Sequence, residues 1–459
     1  MPQPPEIFDV RALNARHHVH PMADPKMYRD APPLILTGGS GCYLTDIDGR
    51  RYLDSAAGLW NINVGHGRAE VKAAIVEQLD QLVYYPIQGL SNPPAIELSK
   101  RLVDMFAWEG MTKVLFSSGG GDACEGALKL ARQYWKLVGQ PARTKFISLK
   151  YAYHGTHFGG LSANGNTRYR EAYEPLLPGF IQIDSPFAYR NPWTNDPDAL
   201  GRLCAQMLER EITFQGPNTV AAFIAEPIQG AGGLIVPPAN YWPLVREICD
   251  RYEVLLIADE VVTAFGRTGA MSGSRLWGVR PDIMAMAKGI NSGYVPLGAT
   301  MWNNRVATAW ERADPLAVLM HGYTYSGHPL ACAAANATMR ILVEEDLAGN
   351  AARQGAYLLE QLSDLPARHG FIGEVRGRGL MVGVQFVRDK ATREPYASSD
   401  PLLRRVVAIG RELGIFLRFA GESCLALSPP LVIQRNEIDE MVGLIGRTLE
   451  ILSAELPGS

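Results

Sequence analysis

Short apolar runs, each followed by a glycine-bearing loop or an amphipathic stretch, recur through the first two thirds of the chain, and this alternation limits the fold more than any other feature. "KVLF" at 113–116 is followed by glycines 119–121 and then by "DACEGALKLARQYWKL" from Asp122, whose apolar positions fall at helical spacing. "KFISL" (145–149), "VAAFIAEP" (220–227) and "EVLLIADEV" (253–261) predict further strands, with "YWPLVREICDRY" a helix between the last two. Strands apolar along their whole length need cover on both faces. The pattern therefore predicts an α/β fold with a mainly parallel sheet wrapped by helices. In such a sheet ligands collect at the C-terminal ends of the strands.

The flanks read differently. "LILTGGSGCYLTDIDGRRYLDSAAG" predicts a hairpin turning at Asp48 and Gly49, and residues 69–83 and 93–106 predict helices, the second opened by Asn92 with prolines in its first turn. Beyond about residue 330, "PLACAAANATMRILVEE" predicts a linking helix. "VRGRGLMVGVQF" and "LALSPPLVI" then predict strands flanked by helices at 401–413 and 436–452, an α+β unit. With 459 residues, one core is outgrown and a large and a smaller domain are expected. The division expected is an N-terminal segment (1–65) joining the small domain, a large domain (66–330), and a linker helix with the C-terminal small domain (331–459).

Several function classes are disfavoured. The longest apolar runs are too short to span a bilayer, and 44 basic against 47 acidic residues leave no footprint for a nucleic acid. His17, His18 and His20 cluster without an acidic or cysteine partner at ligand spacing, so no metal is expected. Six scattered cysteines without a CxxC pair suit a reducing compartment, and the opening residues lack a secretory pattern, so a cytoplasmic location is expected.

Three features carry chemistry. Asp259 closes an apolar strand, where an unpaired carboxylate is costly and a cationic heterocycle would be a suitable partner. Lys288, in "IMAMAKGI", sits among apolar residues, which favour a neutral amine able to form an imine. "SSGGGD" before a predicted helix offers backbone amides and a helix N-terminus to a phosphate. Taken singly, Asp259 reads equally as a structural carboxylate, while Lys288 reads rather as a surface lysine and the glycines more readily as a plain turn. Together they supply the three groups that pyridoxal 5'-phosphate needs.

The motifs "IAEPIQGAGG" (224–233), "LLIADEVVTAFGRTG" (255–269), "PDIMAMAKGI" (281–290) and "YTYSGHPLACAAA" (323–335), in that order and spacing, resemble the class III aminotransferases, pyridoxal-phosphate enzymes of fold type I, especially their omega-aminotransferase branch. The resemblance implies a large domain built on a mainly parallel seven-stranded sheet plus a smaller α+β domain. It implies that Lys288 bonds the cofactor and shuttles protons, and that Asp259 pairs with the pyridine nitrogen. Val261 and Tyr153 would pack on the two ring faces, Gly120 and Gly121 would offer amides to the phosphate, Thr324 would reach it from the opposite subunit, and Glu226 would support the acid layer. Arg418 resembles a mobile arginine that binds the acceptor carboxylate, and Leu59, Trp60, Tyr85 and Tyr153 resemble the substrate wall. Glycines at 119 and 121 stand where the family commonly has serines, which puts the hydroxyl contacts of the phosphate cup in doubt.

The expected reaction takes an amino group from a primary amine or omega-amino acid to a keto acid, with pyruvate giving L-alanine favoured. Taurine or β-alanine as the dedicated donor is an alternative. An aminomutase, a decarboxylase and a catalytically silent binding module are the rival readings. A homodimer with shared sites is implied, with a tetramer of two such dimers as the larger option.

Overall fold

A computed structural model describes residues 9–24, 26, 28, 33–313 and 317–456. Its centre is a seven-stranded sheet in the spatial order Met111–Ser117, Gly298–Asn303, Ile283–Met286, Leu255–Asp259, Val220–Ala225, Lys145–Leu149, Phe180–Ile183. Six of these strands run the same way. Gly298–Asn303 alone is antiparallel to both its neighbours. Every residue of Val220–Ala225, Leu255–Asp259 and Ile283–Met286 is buried, as expected of strands covered on both faces.

The helix after the first of these strands begins at Gly120, not Asp122, so two of the three loop glycines lie in its first turn. Gly119 is its N-cap. The reason is local: the Asp122 carboxylate reaches back to accept the Ser118 N–H at 3.0 Å, which closes the turn two residues early. The helix expected over 69–83 spans Ala69–Leu79 and stops at Asp80, four residues short, while Pro93–Met105 forms nearly as the pattern predicts, capped by Asn92, whose Oδ1 accepts the Ala95 N–H at 3.0 Å.

Strands Leu36–Ser40, Tyr43–Asp46 and Arg51–Asp54 form an antiparallel meander, and Ile415–Phe416 from the far end of the chain adds to it in parallel. Ile372–Gly377, Val382–Asp389, Cys424–Leu427 and Phe419–Ala420 make a second antiparallel sheet, which helices Pro401–Leu413 and Arg435–Glu455 accompany. "LALSPPLVI" supplies a strand only as far as Leu427. Pro429 and Pro430 have no N–H for a ladder, so Leu431 and Ile433 are buried outside any strand. His18 and His20 each bond Asn14 at 3.2 Å. No helix among the described residues is long and apolar enough to cross a membrane.

Arg267 ties these parts together. It is wholly buried, and its guanidinium donates to the carbonyls of Leu380 (3.1 Å) and Pro429 (2.6 Å) and to Asn63 Oδ1 (3.0 Å). Asn63 in turn donates to the Phe265 carbonyl at 2.8 Å. Burial pushes the guanidinium down to about 9, with only Asp54 pulling the other way. Arg267→Met should strand two buried carbonyls and an amide oxygen, a loss on the order of 2–4 kcal/mol. Denaturant unfolding checks this; a variant as stable as the parent would remove Arg267 from this tying role.

Candidate active site

The C-terminal ends of the central strands bring the predicted chemistry into one cleft. Asp259 is the last residue of its strand and buried. Its Oδ2 takes two donors, His154 Nδ1 at 2.7 Å and the Cys124 thiol at 3.2 Å, while Oδ1 takes the Val261 N–H at 3.1 Å. Among the described residues no other donor reaches Oδ1, so that oxygen keeps a free lone pair. Neither His154 nor Cys124 was expected as a site residue from the sequence, where Cys124 counted only as one of six scattered cysteines. His154 follows Tyr153 directly in "YAYHG", and Cys124 lies one turn into the helix opened by the glycines. Cys124, His154 and Asp259 place their ligand atoms within 4.8 Å of one another, but the hydrogen bonds between them already use those atoms. Burial first and Asp259 second raise the Cys124 thiol pKa well above its ordinary range.

Glu226 stands one strand away. Its Oε1 accepts the Tyr153 N–H at 3.0 Å and its Oε2 the Gly230 N–H at 2.8 Å. Burial first and Asp259 second push its carboxyl up to about 7. Glu260, next to Asp259, points the other way, as strand alternation requires. It accepts bonds from Thr263, Gly273 and Ser274, and so fastens the loop that follows the strand.

Lys288 follows the strand Ile283–Met286 with φ +46°, a left-handed backbone rare for a side-chain-bearing residue. Trp60, at φ +62°, is held in the same region. Such conformations persist where the surroundings over-determine them, and they gather at functional clefts. Here both residues meet: Lys288 Nζ lies 5.9 Å from the Trp60 ring centroid, and Arg418 Cζ lies 5.7 Å from it. Burial lowers the Lys288 pKa against the opposing pull of Asp259 and Glu226, so its amine loses its proton more readily than an exposed lysine's.

The glycine turn borders Asp259. A Cβ on Gly120 would lie 2.7 Å from Val261 Cγ1, and Gly121 approaches Gly155 so closely that a Cβ on Gly155 would lie 2.7 Å from the Gly121 Cα. The amides of Gly120 and Gly121 have no acceptor among the described residues, as first-turn groups of a helix do not. Val261 packs on Ala123, Cys124 and Ala285, and the Tyr153 ring meets Tyr169 edge-on at 5.0 Å.

Three expected residues lie apart. Leu59, Tyr85 and Thr324 are exposed on the single chain, the last two near each other because the Tyr84 hydroxyl donates to the Thr324 carbonyl at 2.6 Å.

The profile of the family "Aminotransferase class-III" matches residues 26–449. The chain belongs to the class-III aminotransferases. It is similar to a putrescine–pyruvate aminotransferase of Pseudomonas aeruginosa, 38% identical over 97% of this chain and 96% of that protein. It is similar to a taurine–pyruvate aminotransferase of Bilophila wadsworthia, 37% identical over 96% of each. Among solved structures, an amine transaminase from an uncultivated Pseudomonas species in its PLP-bound form superposes with a TM-score of 0.92 at 51% identity, covering 95% of this chain and 98% of that one. The Pseudomonas jessenii omega-transaminase in complex with PMP gives 0.94 at 34% identity, covering 98% and 100%.

The glycine turn of this class-III aminotransferase makes a specific prediction. Gly120→Ala should cost about 1–3 kcal/mol by overpacking against the stiff Val261 side chain. Adding Val261→Ala should return most of that loss, which a double-mutant cycle of thermal unfolding reads. Strict additivity of the two changes would show that residue 120 has room to spare.

Proposed function

We propose that this chain is a pyridoxal 5'-phosphate-dependent omega-aminotransferase that moves an amino group from a primary amine or omega-amino acid to a keto acid, with pyruvate giving L-alanine. The carrying observation is the Trp60 ring that two side chains share. One indole ring has the Lys288 amine and the Arg418 guanidinium each within 6 Å of its centre, at 5.9 and 5.7 Å. A group that exchanges amines and a group that holds a carboxylate thus border one small space. The putrescine and taurine enzymes to which the chain is similar are both named for pyruvate and differ in their donors, which favours pyruvate as the acceptor here.

The residues fit the cofactor. Asp259 Oδ1 has an open lone pair for a pyridine N–H, and the free amides of Gly120 and Gly121 suit a phosphate. When bound, pyridoxal phosphate supplies an electrophilic carbonyl carbon and a ring able to accept an electron pair. Lys288 would hold the cofactor through that carbon, and its amine would take the proton from the donor carbon next to the nitrogen and deliver it to the carbon on the far side of that nitrogen. Its lowered pKa favours the neutral amine, the form that accepts a proton. Asp259 would keep the ring nitrogen protonated, and His154 and Cys124 hold its carboxylate in place by occupying Oδ2. Val261 and Tyr153 would pack against the ring, and Glu226 fixes Tyr153 through the backbone N–H.

Arg418 binds the acceptor carboxylate through its planar fork of donors and gives way to an uncharged donor. Trp60 forms the inner wall, with Leu59 and Tyr85 nearer the mouth. Thr324 serves a second copy: it is exposed beside Tyr325, and Tyr84 bonds its carbonyl and meets the Tyr325 ring, a surface that a homodimer would cover. Six buried, unpaired cysteines suit a reducing cytoplasm.

The test is alanine formation from pyruvate across a panel of amines, taurine and β-alanine included. The parent should form alanine with at least one primary amine, and Lys288→Ala should lower the rate by at least about 100-fold, the low end for removal of a proton-transfer group. Efficient transfer to another keto acid with no alanine from any donor would contradict the pyruvate assignment. Release of carbon dioxide would point to a decarboxylase, and return of the amino group to the same skeleton to a mutase.

A further inference from the structure

Arg418 stands immediately before the strand Phe419–Ala420, which turns at 421–423 into Cys424–Leu427. The Arg418 carbonyl accepts the Ala426 N–H at 2.8 Å, so its backbone is registered in this hairpin and only the side chain is free to move. The hairpin tip is held on two sides. Gly421, at φ +58°, donates its N–H to the Ala231 carbonyl of the large domain at 2.8 Å, and a Cβ there would lie 2.5 Å from the Gly232 carbonyl oxygen. Ser423, at φ +145° and buried, donates its hydroxyl to the Phe386 carbonyl at 2.7 Å and accepts from Gln385 Nε2 at 3.1 Å.

Glu422 projects between these two anchors and pairs with Arg190, which belongs to the irregular stretch after the edge strand Phe180–Ile183. The Arg190 guanidinium rests over Phe187 at 5.6 Å and Tyr151 at 6.0 Å from the ring centroids. Its side chain is 24% exposed and that of Glu422 48%, so the pair contributes little to global stability. Its placement matters more. The turn that receives Gly421 continues to Gly230, whose N–H is held by Glu226 at 2.8 Å, so tip and acid layer share one rigid run of backbone.

We propose that the Arg190–Glu422 pair is a latch that fixes the Arg418 hairpin against the large domain, making both residues positioning residues for the acceptor carboxylate. This rests on the reading of Arg418 as the carboxylate-binding group. The reaction needs Arg418 in place for the acceptor and out of the way for the donor. A latched hairpin confines that change to the side chain. An unlatched one spreads the guanidinium over positions that cannot grip two oxygens.

Kinetics with one amine donor and two acceptors, pyruvate and the carboxylate-free butanal, test this. Arg190→Gln and Glu422→Gln should each raise the ratio of KM for pyruvate to KM for butanal about three- to fivefold, the scale of an exposed ion pair. The charge-reversed double variant, Arg190→Glu with Glu422→Arg, should bring the ratio back towards the parent's, which a general loss of stability would not do. Arg418→Ala is run alongside. If it leaves the ratio unchanged, the carboxylate role of Arg418 fails and the latch with it. If it raises the ratio while the two single Gln variants do not, or if the reversed pair stays as impaired as they are, the latch alone is overturned.

Discussion

A carboxylate at the buried end of an apolar strand is the constraint from which the site follows. Removing Asp259 from water is costly unless its oxygens are satisfied, and two of its three donors come from elements far off in sequence, Cys124 and His154. These fix which oxygen remains available. His154 and Cys124 both take Oδ2, so Oδ1, touched only by the Val261 N–H among the described residues, faces the remaining demand. The second carboxyl of the layer, Glu226, is pushed up to about 7 by burial and by Asp259, so the two acids do not carry full charge together as easily as two exposed ones would. Glu226 instead spends its oxygens on backbone, and through Gly230 it steadies the turn on which the Arg418 hairpin rests.

The other side of the cleft is held by backbone in an uncommon state. Lys288 and Trp60 both have positive φ, and their side chains meet within one ring's reach. Neither conformation is cheap for a residue with a Cβ, and both are kept by neighbours that leave no alternative: Asn63, close behind Trp60, is bonded to Phe265 and Arg267, and a Cβ on Gly289 would lie 2.4 Å from the Asn63 amide. Arg267, in the loop after the central strand Leu255–Asp259, joins the parts of the fold by bonding Asn63, which follows the N-terminal meander, and Leu380 and Pro429, which flank strands of the C-terminal sheet.

Much of this was legible in sequence because it is local. Fully apolar strands ending in charge gave Leu255–Asp259 and Val220–Ala225, the family motifs carried Lys288 and Glu226, and the wider family resemblance pointed to Arg418. What escaped is non-local. The bonds from Cys124 and His154 to Asp259 span 135 and 105 residues, and no periodicity announces them. The antiparallel strand Gly298–Asn303 reads like its parallel neighbours, since burial on both faces erases the alternation that would distinguish it. The early helix start at Gly120 depended on one capping bond from Asp122, and the apolar "LVI" at 431–433 reads as a strand to any measure blind to the two prolines before it. Leu59, Tyr85 and Thr324 lie on the exterior of one chain, and their place in a site depends on what covers that surface.

Reduction of the purified protein with borohydride, followed by mass mapping of its peptides, bears most directly on the central claim that the Lys288 amine bonds the cofactor above Asp259. A single pyridoxyl adduct on the peptide carrying "IMAMAKGI" is the result this account predicts. An active, cofactor-loaded protein labelled at a different lysine, or left unlabelled, would contradict it.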